Sequence, residues 1–284
     1  MRKFWFTLLI ALMVATTVVS AVGCGKSKGA APNSAKGILD KSLKAVLSSK
    51  SLKVNGSIDL KTPEAEEKES KETITGEFNI ISTSEIEGHL VAQDQKGQKS
   101  EAYLKGGYAY TYSPTSGWEK QKTSGVQDLT TGLIDPENLA TMIKYAENPK
   151  KLPDEGNNQV VSFDVGNKFY KEMLSGLEAE SSAPTTAEQS SAQQYGDLLK
   201  SMVGDIASSV VMKVDKTTSY PSEVTVKVSA KGIPIMGDIS LDSKMAFTDY
   251  DVPVTITVPP EAASAKEVEP GTTTGIPGIP GLGI

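Results

Sequence analysis

The side chains that most often act as nucleophiles or metal ligands, cysteine and histidine, occur once each in this sequence, as Cys24 and His89. A histidine-rich zinc site cannot be built from one histidine, and a cysteine–histidine nucleophilic pair cannot form if the thiol is modified. His89 shares a register with Glu85 and Glu87 in an alternating stretch, so we expect its imidazole to face water. Neither residue therefore indicates a catalytic or metal site.

Other patterns that carry chemistry in proteins are incomplete in this sequence. Lys105-Gly106-Gly107-Tyr108 lacks the lysine and hydroxyl that follow the glycines of a phosphate-binding loop. Asp154-Glu155 precedes Gly156-Asn157, which is typical of a solvated turn and not of a pair of catalytic carboxylates. We therefore predict a protein that is not an enzyme and that needs no metal and no cofactor.

The chemistry that the sequence does support is acylation of Cys24. Met1-Arg2-Lys3 is a short positive segment, Phe4 to Val19 is apolar apart from three threonines, and small residues lead to Gly23. Because the apolar run is shorter than the ~20 residues that span a bilayer, we predict a signal peptide over residues 1–23. A thiol at the cleavage point can be joined to a diacylglyceryl group. Cys24 would then be a mature N-terminus anchored by two or more acyl chains, since one chain binds only marginally.

An ordinary secreted protein is the alternative to this lipidated one. Ala21-Val22-Gly23 also resembles a small-x-small cleavage site, and Cys24 would then be a free thiol.

Composition places the rest of the chain in the globular class and limits its partners. A hydrophobic content of 38% is sufficient for the core of one large domain or two small ones. Cleavage removes Arg2 and Lys3 from the 29 basic residues, which leaves 27 against 35 acidic residues, a net charge of −8. An acidic chain argues against nucleic acid and against adhesion to anionic lipid, so the anchor would supply the membrane contact. We expect a monomer on the extracytoplasmic face of the cell membrane.

Hydrophobic periodicity predicts an α+β domain between a flexible tether at residues 24–33 and a disordered Gly/Pro-rich tail at residues 261–284. Helices are predicted where apolar residues recur three and four positions apart, over residues 35–47, 135–148, 169–177 and 195–206. Strands are predicted where apolar and polar residues alternate, over residues 52–61, 74–80, 86–92, 102–104, 108–112, 161–165, 210–214, 224–230, 235–247 and 252–258, and around Trp118. We expect the charged run from Glu64 to Glu72 and the segment from Ser181 to Ser191 to be loops.

The order of these elements predicts a single antiparallel sheet with its helices on one face. Each strand has one apolar face only. One side of the sheet should therefore be covered by the amphipathic helices, and the other should be solvated.

Three segments of the sequence resemble the LppX/LprAFG-type bacterial lipoproteins, a family similar in fold to the LolA carrier. They are Cys24 followed by a tether and the helix from Gly37 to Ser49, the turn from Val214 to Val224, and the closing segment from Asp249 to Pro260. The resemblance extends over residues 34–260. It implies an open half-barrel, a curved antiparallel sheet wrapped around helices, with an apolar cavity that takes acyl chains such as palmitate.

The cavity that the resemblance implies would be lined by apolar residues pointing inward. The predicted lining residues are Val54, Ile58, Phe78, Ile80, Leu90, Val210, Met212, Val226, Ile239 and Leu241 on the strands, and Leu139, Ile143, Leu174, Leu199 and Met202 on the helices. Two further sets are either ordinary core or part of the ligand site, namely Tyr108, Tyr110 and Tyr112 at its rim, and Met142, Met173, Met202, Met212, Met236 and Met245 in its walls.

Residues 34–260 are therefore expected to form the lipid-binding domain of a membrane-anchored, extracytoplasmic lipoprotein that binds or carries a lipid or other acyl-chain ligand. The alternative is a non-catalytic interaction or sensory module on the same scaffold. Its groove would be filled by its own side chains, and its partner would be another envelope protein. The size of the cavity distinguishes the two.

Overall fold

The computed structural model describes residues 31, 33–62, 69–82, 85–122, 136–166, 169, 206–233 and 237–268. Within these residues, twelve strands form one sheet, accompanied by the helices α1 (Ala35–Ser48), α2 (Pro136–Lys144) and α3 (Pro260–Ala263). The strands are β1 (Ser51–Lys61), β2 (Glu69–Ser82), β3 (Glu85–Asp94), β4 (Lys99–Lys105), β5 (Tyr108–Ser113), β6 (Gly117–Lys122), β7 (Ala146–Glu155), β8 (Asn158–Val165), β9 (Ile206–Asp215), β10 (Pro221–Ile233), β11 (Gly237–Thr248) and β12 (Glu267–Val268).

The strand order is β12-β6-β5-β4-β3-β2-β1-β11-β10-β9-β8-β7. Most neighbours follow each other in the chain and pair antiparallel, and the antiparallel pair β1–β11 joins the two halves of the sheet, with Val54 opposite Phe247. The edges are β7 and the two-residue strand β12, which runs parallel to β6. The prediction of an α+β fold built on an antiparallel sheet is confirmed in this form: the described part of the chain is mostly strand, and its sheet is open.

Helix α1 begins where the sequence predicts, because the Ser34 hydroxyl accepts a hydrogen bond from the Gly37 amide at 3.1 Å and caps the first turn. The helix buries Ile38, Leu39 and Val46 and packs against α2, β7 and β8. Leu47, which the periodicity places on the buried face, is instead 59% exposed. The buried face of α1 is centred nearer Ile38 than the periodicity predicts, so Leu47 lies at the solvent-exposed edge of that face.

Strand β7 corrects the prediction that the second helix continues to Asn148. Helix α2 ends at Lys144, and the next residues pair with β8 up to the turn at Gly156. Pro149 and Pro153 are typical of a helix end followed by a loop. Proline lacks an amide hydrogen and is tolerated in a sheet at an edge strand, which is the position that β7 occupies.

Strand β2 corrects part of the predicted loop from Glu64 to Glu72. The strand begins at Glu69, and Lys71 of β2 forms an ion pair with Asp59 of the adjacent strand β1 at 3.5 Å. Charges of opposite sign on adjacent strands stabilise the pairing of a polar stretch. The prediction considered only the local composition, which is typical of a solvated loop, and not the partner strand.

The C-terminal segment, defined here as residues 249–268, corrects two further expectations. Residues 252–258 alternate like a strand but pair with no other strand. They cross the sheet, held by bonds such as those of the Asn79 side chain with the Val254 amide and carbonyl at 3.2 and 2.6 Å. Helix α3 and β12 then continue ordered structure past Pro260, the predicted domain end, to Val268.

Of the four predicted helices, those over residues 169–177 and 195–206 lie outside the described residues, apart from Phe169 and Ile206. The helical cover that the structure shows over the sheet is therefore α1 with α2. The predicted loop from Ser181 to Ser191, the signal peptide and Cys24 also lie outside the described residues. No helix in the described ranges is long and apolar enough to cross a membrane.

Candidate functional site

One face of the sheet, called here the core face, carries the main apolar cluster. Side chains alternate between the two faces along each strand, and residues paired across strands share a face. The even-numbered residues of β1 to β3 and the odd-numbered residues of β11 therefore point the same way, as the pairs Val54–Gly76 and Leu60–Leu241 show. The pairs Val226–Val210 and Phe163–Val210 extend this face across β10, β9 and β8.

The core face brings together the predicted lining residues that lie in the described ranges. Nine of them are buried in one cluster: Val54, Ile58, Phe78, Leu139, Ile143, Val210, Met212, Val226 and Leu241. Ile80, Leu90 and Ile239 are partly buried against it. Leu174, Leu199 and Met202 lie outside the described residues. All twelve thus belong to one cluster or pack against it, and that they line a ligand cavity remains a prediction.

Glycines on the core face make room for two large side chains. A Cβ at Gly88 would lie 2.5 Å from Cδ1 of Phe78, and one at Gly76 would lie 2.9 Å from its Cε2. At Gly56 a Cβ would meet Met245 in the same way. The space above these three glycines is thus filled by the Phe78 ring and the Met245 thioether. Methionine is unbranched and adapts to its neighbours, so this filling is deformable at Met245.

The methionines that the structure describes belong to the core. Met142, Met212 and Met245 are buried in the main cluster, and the Met212 sulfur accepts a hydrogen bond from the buried Ser42 hydroxyl at 3.9 Å. Met173, Met202 and Met236 lie outside the described residues. Core filling thus accounts for the described methionines.

Polar side chains also occur on the core face, in addition to the apolar residues predicted to lie there. Ser243 and Glu72 are buried and lie on either side of Ile58, each paired with it across a neighbouring strand. Ser208 is buried on β9 and donates to the Val165 carbonyl at 3.0 Å. The alternation of Leu241, Ser243 and Met245 is the signal that would have identified Ser243, because it places a hydroxyl in an otherwise apolar register.

The opposite face, called here the outer face, carries the three tyrosines that the sequence predicts at a rim. Tyr110 lies opposite Tyr103 in the β4–β5 pair, and both are buried beneath Ile256 and Ala262 of the C-terminal segment. Tyr108 packs against this second cluster, while Tyr112 contacts Trp118 with ring centroids 5.4 Å apart. The tyrosines therefore lie on the face remote from the main apolar cluster, and they are no rim to it.

His89 lies on the outer face as predicted, but its imidazole is not simply solvated. It stacks on Tyr103 with centroids 4.3 Å apart, and its Nε2 lies 2.7 Å from Oε1 of Glu101. The Tyr103 hydroxyl donates to the same oxygen at 2.6 Å, and its side-chain neighbours leave His89 only 26% exposed. Burial and this bond to a carboxylate raise the pKa of Tyr103 well above its usual value. Glu101 and Tyr103 were missed because they adjoin His89 only through the β3–β4 register.

The rest of the outer face carries paired charges. Glu223 accepts from Lys244 at 3.0 Å and from Lys213 at 3.1 Å, and Lys213 also reaches Glu155 at 2.7 Å. Partial burial opposes ionisation of Glu223, but these two lysines outweigh it and lower its pKa. The outer face over β9, β10 and β11 is therefore a polar, solvated surface, as the alternation predicts.

Two of the segments that carry the family resemblance meet in space. Tyr220, in the turn after β9, stacks on Tyr250 of the C-terminal segment and donates to Oδ2 of Asp251 at 2.6 Å. The Lys50 amide donates to the other oxygen of Asp251 at 2.8 Å. Asp249 and Asp251 both have positive φ, +52° and +61°, which is uncommon for residues other than glycine. This contact fixes the start of the C-terminal segment against the first residues of β1.

Solved structures with a remote likeness to the chain come from three bacteria. A LolA superfamily protein from Nitrosomonas europaea is 12% identical, with 78% of this chain and 95% of that one covered and a TM-score of 0.28. An outer membrane lipoprotein-sorting protein domain from Vibrio parahaemolyticus is 11% identical, with 76% and 92% covered and a TM-score of 0.28. A DUF1329 family protein from Desulfovibrio piger is 10% identical, with 78% and 95% covered and a TM-score of 0.27. Such scores are too low to carry an argument about fold or function.

Comparison of the sequence with curated proteins finds no match. A family model, described as a family of unknown function (DUF6612), matches residues 34–267 and so spans the structure from the cap of α1 to β12. The chain therefore belongs to the DUF6612 family.

Proposed function

We propose that the chain is a membrane-anchored, extracytoplasmic lipoprotein that holds an acyl chain of a lipid against the core face. The observation that carries the proposal is the continuity of the apolar cluster, which extends over β1 to β3, β8 to β11, α1 and α2. An aliphatic chain gains about 0.8 kcal/mol for each methylene it buries, on the order of 12 kcal/mol for ~16 carbons before the cost of ordering. Extraction of a lipid from a membrane would require the core face to open and enclose most of that chain.

The anchor is the second part of the proposal. The apolar leader, the small residues before Cys24 and the Gly/Ala/Lys/Ser-rich tether would place the domain, from residue 34, slightly off the outer surface of the cell membrane. An acidic chain gains nothing from anionic lipid headgroups. Contact with the bilayer would therefore come from lipid on Cys24, and the domain would act as a monomer without enzymatic activity.

Mass spectrometry of the full chain tests the proposal. Protein purified from a bacterial host and transferred out of detergent should carry non-covalent adducts of lipid mass, which are lost on denaturation and so differ from acyl groups joined to Cys24. Val226→Trp, which adds a large ring to the buried core face, should reduce them. Val211→Trp is the matched control, because Val211 lies on the outer face of the adjacent strand β9. Circular dichroism checks that both variants fold. Ile239→Trp, at a partly buried position of the core face, replaces Val226→Trp if that variant unfolds.

A second function is favoured by the filling above the glycines. Phe78 and Met245 occupy the space over Gly56, Gly76 and Gly88, as expected for an interaction or sensory module whose interior is filled by its own side chains. A clean mass without adducts for the wild-type chain would support this module, which would bind another envelope protein, and would contradict the lipid-binding proposal.

A further inference from the structure

Ser243 stands among apolar side chains in the middle of the core face and is 2% exposed. Its partners across the adjacent strands are Ile58 on β1 and Val226 on β10. Leu241 and Met245 precede and follow it on the same face of β11, since side chains two positions apart share a face. All four neighbours are buried. A hydroxyl in this position is therefore cut off from water.

The Ser243 hydroxyl has no hydrogen-bond partner within the described part of the chain. Two other buried serines show the usual arrangement: Ser208 donates to the Val165 carbonyl, and Ser42 donates to the Met212 sulfur. A buried hydroxyl without a partner destabilises the folded chain relative to an apolar side chain of the same size. Alanine would remove that cost, and a partner from outside the fold would offset it.

The side chains around Ser243 determine what kind of partner could reach its hydroxyl. Serine is shorter than the isoleucine, valine, leucine and methionine around it, so its hydroxyl lies below the ends of their side chains. A group that reaches it must be narrow, must accept a hydrogen bond and must be joined to an apolar body that covers the four neighbours. The carbonyl oxygen of an acyl group meets all three conditions.

The charge of the surroundings selects the kind of acyl group. A free carboxylate would be buried among apolar side chains without a counter-charge, which is far more costly than burying a neutral carbonyl. An ester carries the same carbonyl acceptor without the charge.

We propose that the Ser243 hydroxyl donates a hydrogen bond to the ester carbonyl of a bound acyl lipid, so that the core face selects neutral acyl esters. This rests on the proposed function, because it names the class of lipid and the residue that recognises it.

The test compares two lipids that differ in this carbonyl, 1-palmitoylglycerol and its ether analogue 1-O-hexadecylglycerol. Each is used to displace a fluorescent acyl probe from the full chain. One hydrogen bond corresponds to a preference of about threefold to tenfold, so the wild type should bind the ester more tightly than the ether by that factor. Ser243→Ala should bind both lipids equally and should unfold, without lipid, at a temperature no lower than the wild type.

Ser208→Ala is the matched control, since it also removes a buried serine hydroxyl but one whose hydrogen bond is internal. It should be destabilised without lipid and should keep the preference for the ester. A wild type that binds both lipids equally, or a preference that persists in Ser243→Ala, overturns the role of Ser243 while lipid binding stands. Failure of the wild type to bind the probe and both lipids overturns the proposed function itself.

Discussion

Tyr220 and Tyr250 stack face to face, with ring centroids 4.1 Å apart and planes 5° from parallel. This contact joins the turn between β9 and β10 to the point where the chain leaves β11. The Tyr250 hydroxyl donates to the Pro221 carbonyl at 2.9 Å, so the two segments are joined by a hydrogen bond as well as by the rings. Burial raises the pKa of Tyr250, which keeps its hydroxyl protonated as the donor.

Tyr250→Phe should lower the free energy of unfolding by about 1–2 kcal/mol, because it keeps the stack and leaves the Pro221 carbonyl without its donor. Urea denaturation measures this change. Tyr112→Phe is the control, since the Tyr112 ring contacts Trp118 but its hydroxyl makes no hydrogen bond in the described part of the chain. Equal stability of Tyr250→Phe and the wild type would show that the bond to Pro221 contributes nothing.

Asp251 should make the stability of the fold dependent on pH. The hydrogen bond from the Tyr220 hydroxyl, followed by that from the Lys50 amide, lowers the pKa of Asp251 from its ordinary value of 3.8. A carboxyl whose folded pKa lies below its unfolded pKa stabilises the fold above pH 3.8, and this contribution is lost as the pH falls through the folded pKa. The wild type should therefore lose more stability between pH 7 and pH 3 than Asp251→Asn.

Denaturation curves at a series of pH values check this expectation. Asp249→Asn is the matched control, because within the described residues its carboxylate pairs with Lys53 alone, and both side chains are about half exposed. Parallel pH profiles for Asp251→Asn and the wild type would contradict the role of Asp251.

The alternation of apolar and polar residues predicted most of the sheet, because in a strand with one buried face every second residue is apolar. For this reason the ten described residues of the predicted lining set that lie on strands belong to one cluster or pack against it. Segments whose partners are distant in the chain were not predictable in this way. Residues 252–258 have the alternation of a strand, yet side chains such as Asn79 and Ser51 hold them across the sheet. Strand β7 contains two prolines, which are typical of a loop. They are tolerated there because an edge strand does not need every amide hydrogen for pairing.

The His89, Glu101 and Tyr103 cluster shows the same limit at the level of a site. His89 and Tyr103 are directly paired in the β3–β4 register, which the hairpin turn after Asp94 sets. Their side chains meet on the outer face although 14 positions separate them in the sequence. Periodicity gives the face of each residue, but only the register gives its neighbours.

The C-terminal segment should contribute to stability through Ile256, which is buried with Tyr103, Tyr110 and Ala262. Ile256→Ala should cost about 2–5 kcal/mol, the range for a buried isoleucine whose neighbours cannot close the cavity. Val252→Ala, in the same segment but exposed, should change stability by no more than about 0.5 kcal/mol. Urea denaturation of the full chain compares the two. Similar small effects would mean that the segment only rests on the sheet.

Lipidation at Cys24 predicts a change of location. Cys24→Ala removes the thiol that would take the diacylglyceryl group, so the variant should remain as an unprocessed precursor or be released from the membrane. Membrane and soluble fractions, together with the mass of the chain, distinguish the outcomes. Ser27→Ala, in the tether, is the control and should be processed like the wild type. A Cys24→Ala protein that is cleaved and partitions normally would contradict the anchor.

Phe78 provides a test of whether the core face can exchange its own side chains for a lipid. Its ring fills the space over Gly76 and Gly88, so Phe78→Ala should destabilise the lipid-free chain by about 3–5 kcal/mol and leave a cavity lined by apolar atoms. A ligand that binds only the folded state raises its stability in proportion to its affinity. If an acyl chain binds this face, 1-palmitoylglycerol should raise the melting temperature of Phe78→Ala more than that of the wild type.

Ile256→Ala, at a position that is also buried but lies in the outer-face cluster, is the control and should show no such gain. Equal shifts for Phe78→Ala and Ile256→Ala would place the lipid elsewhere or nowhere on the chain, and would favour the interaction module, whose interior its own side chains fill.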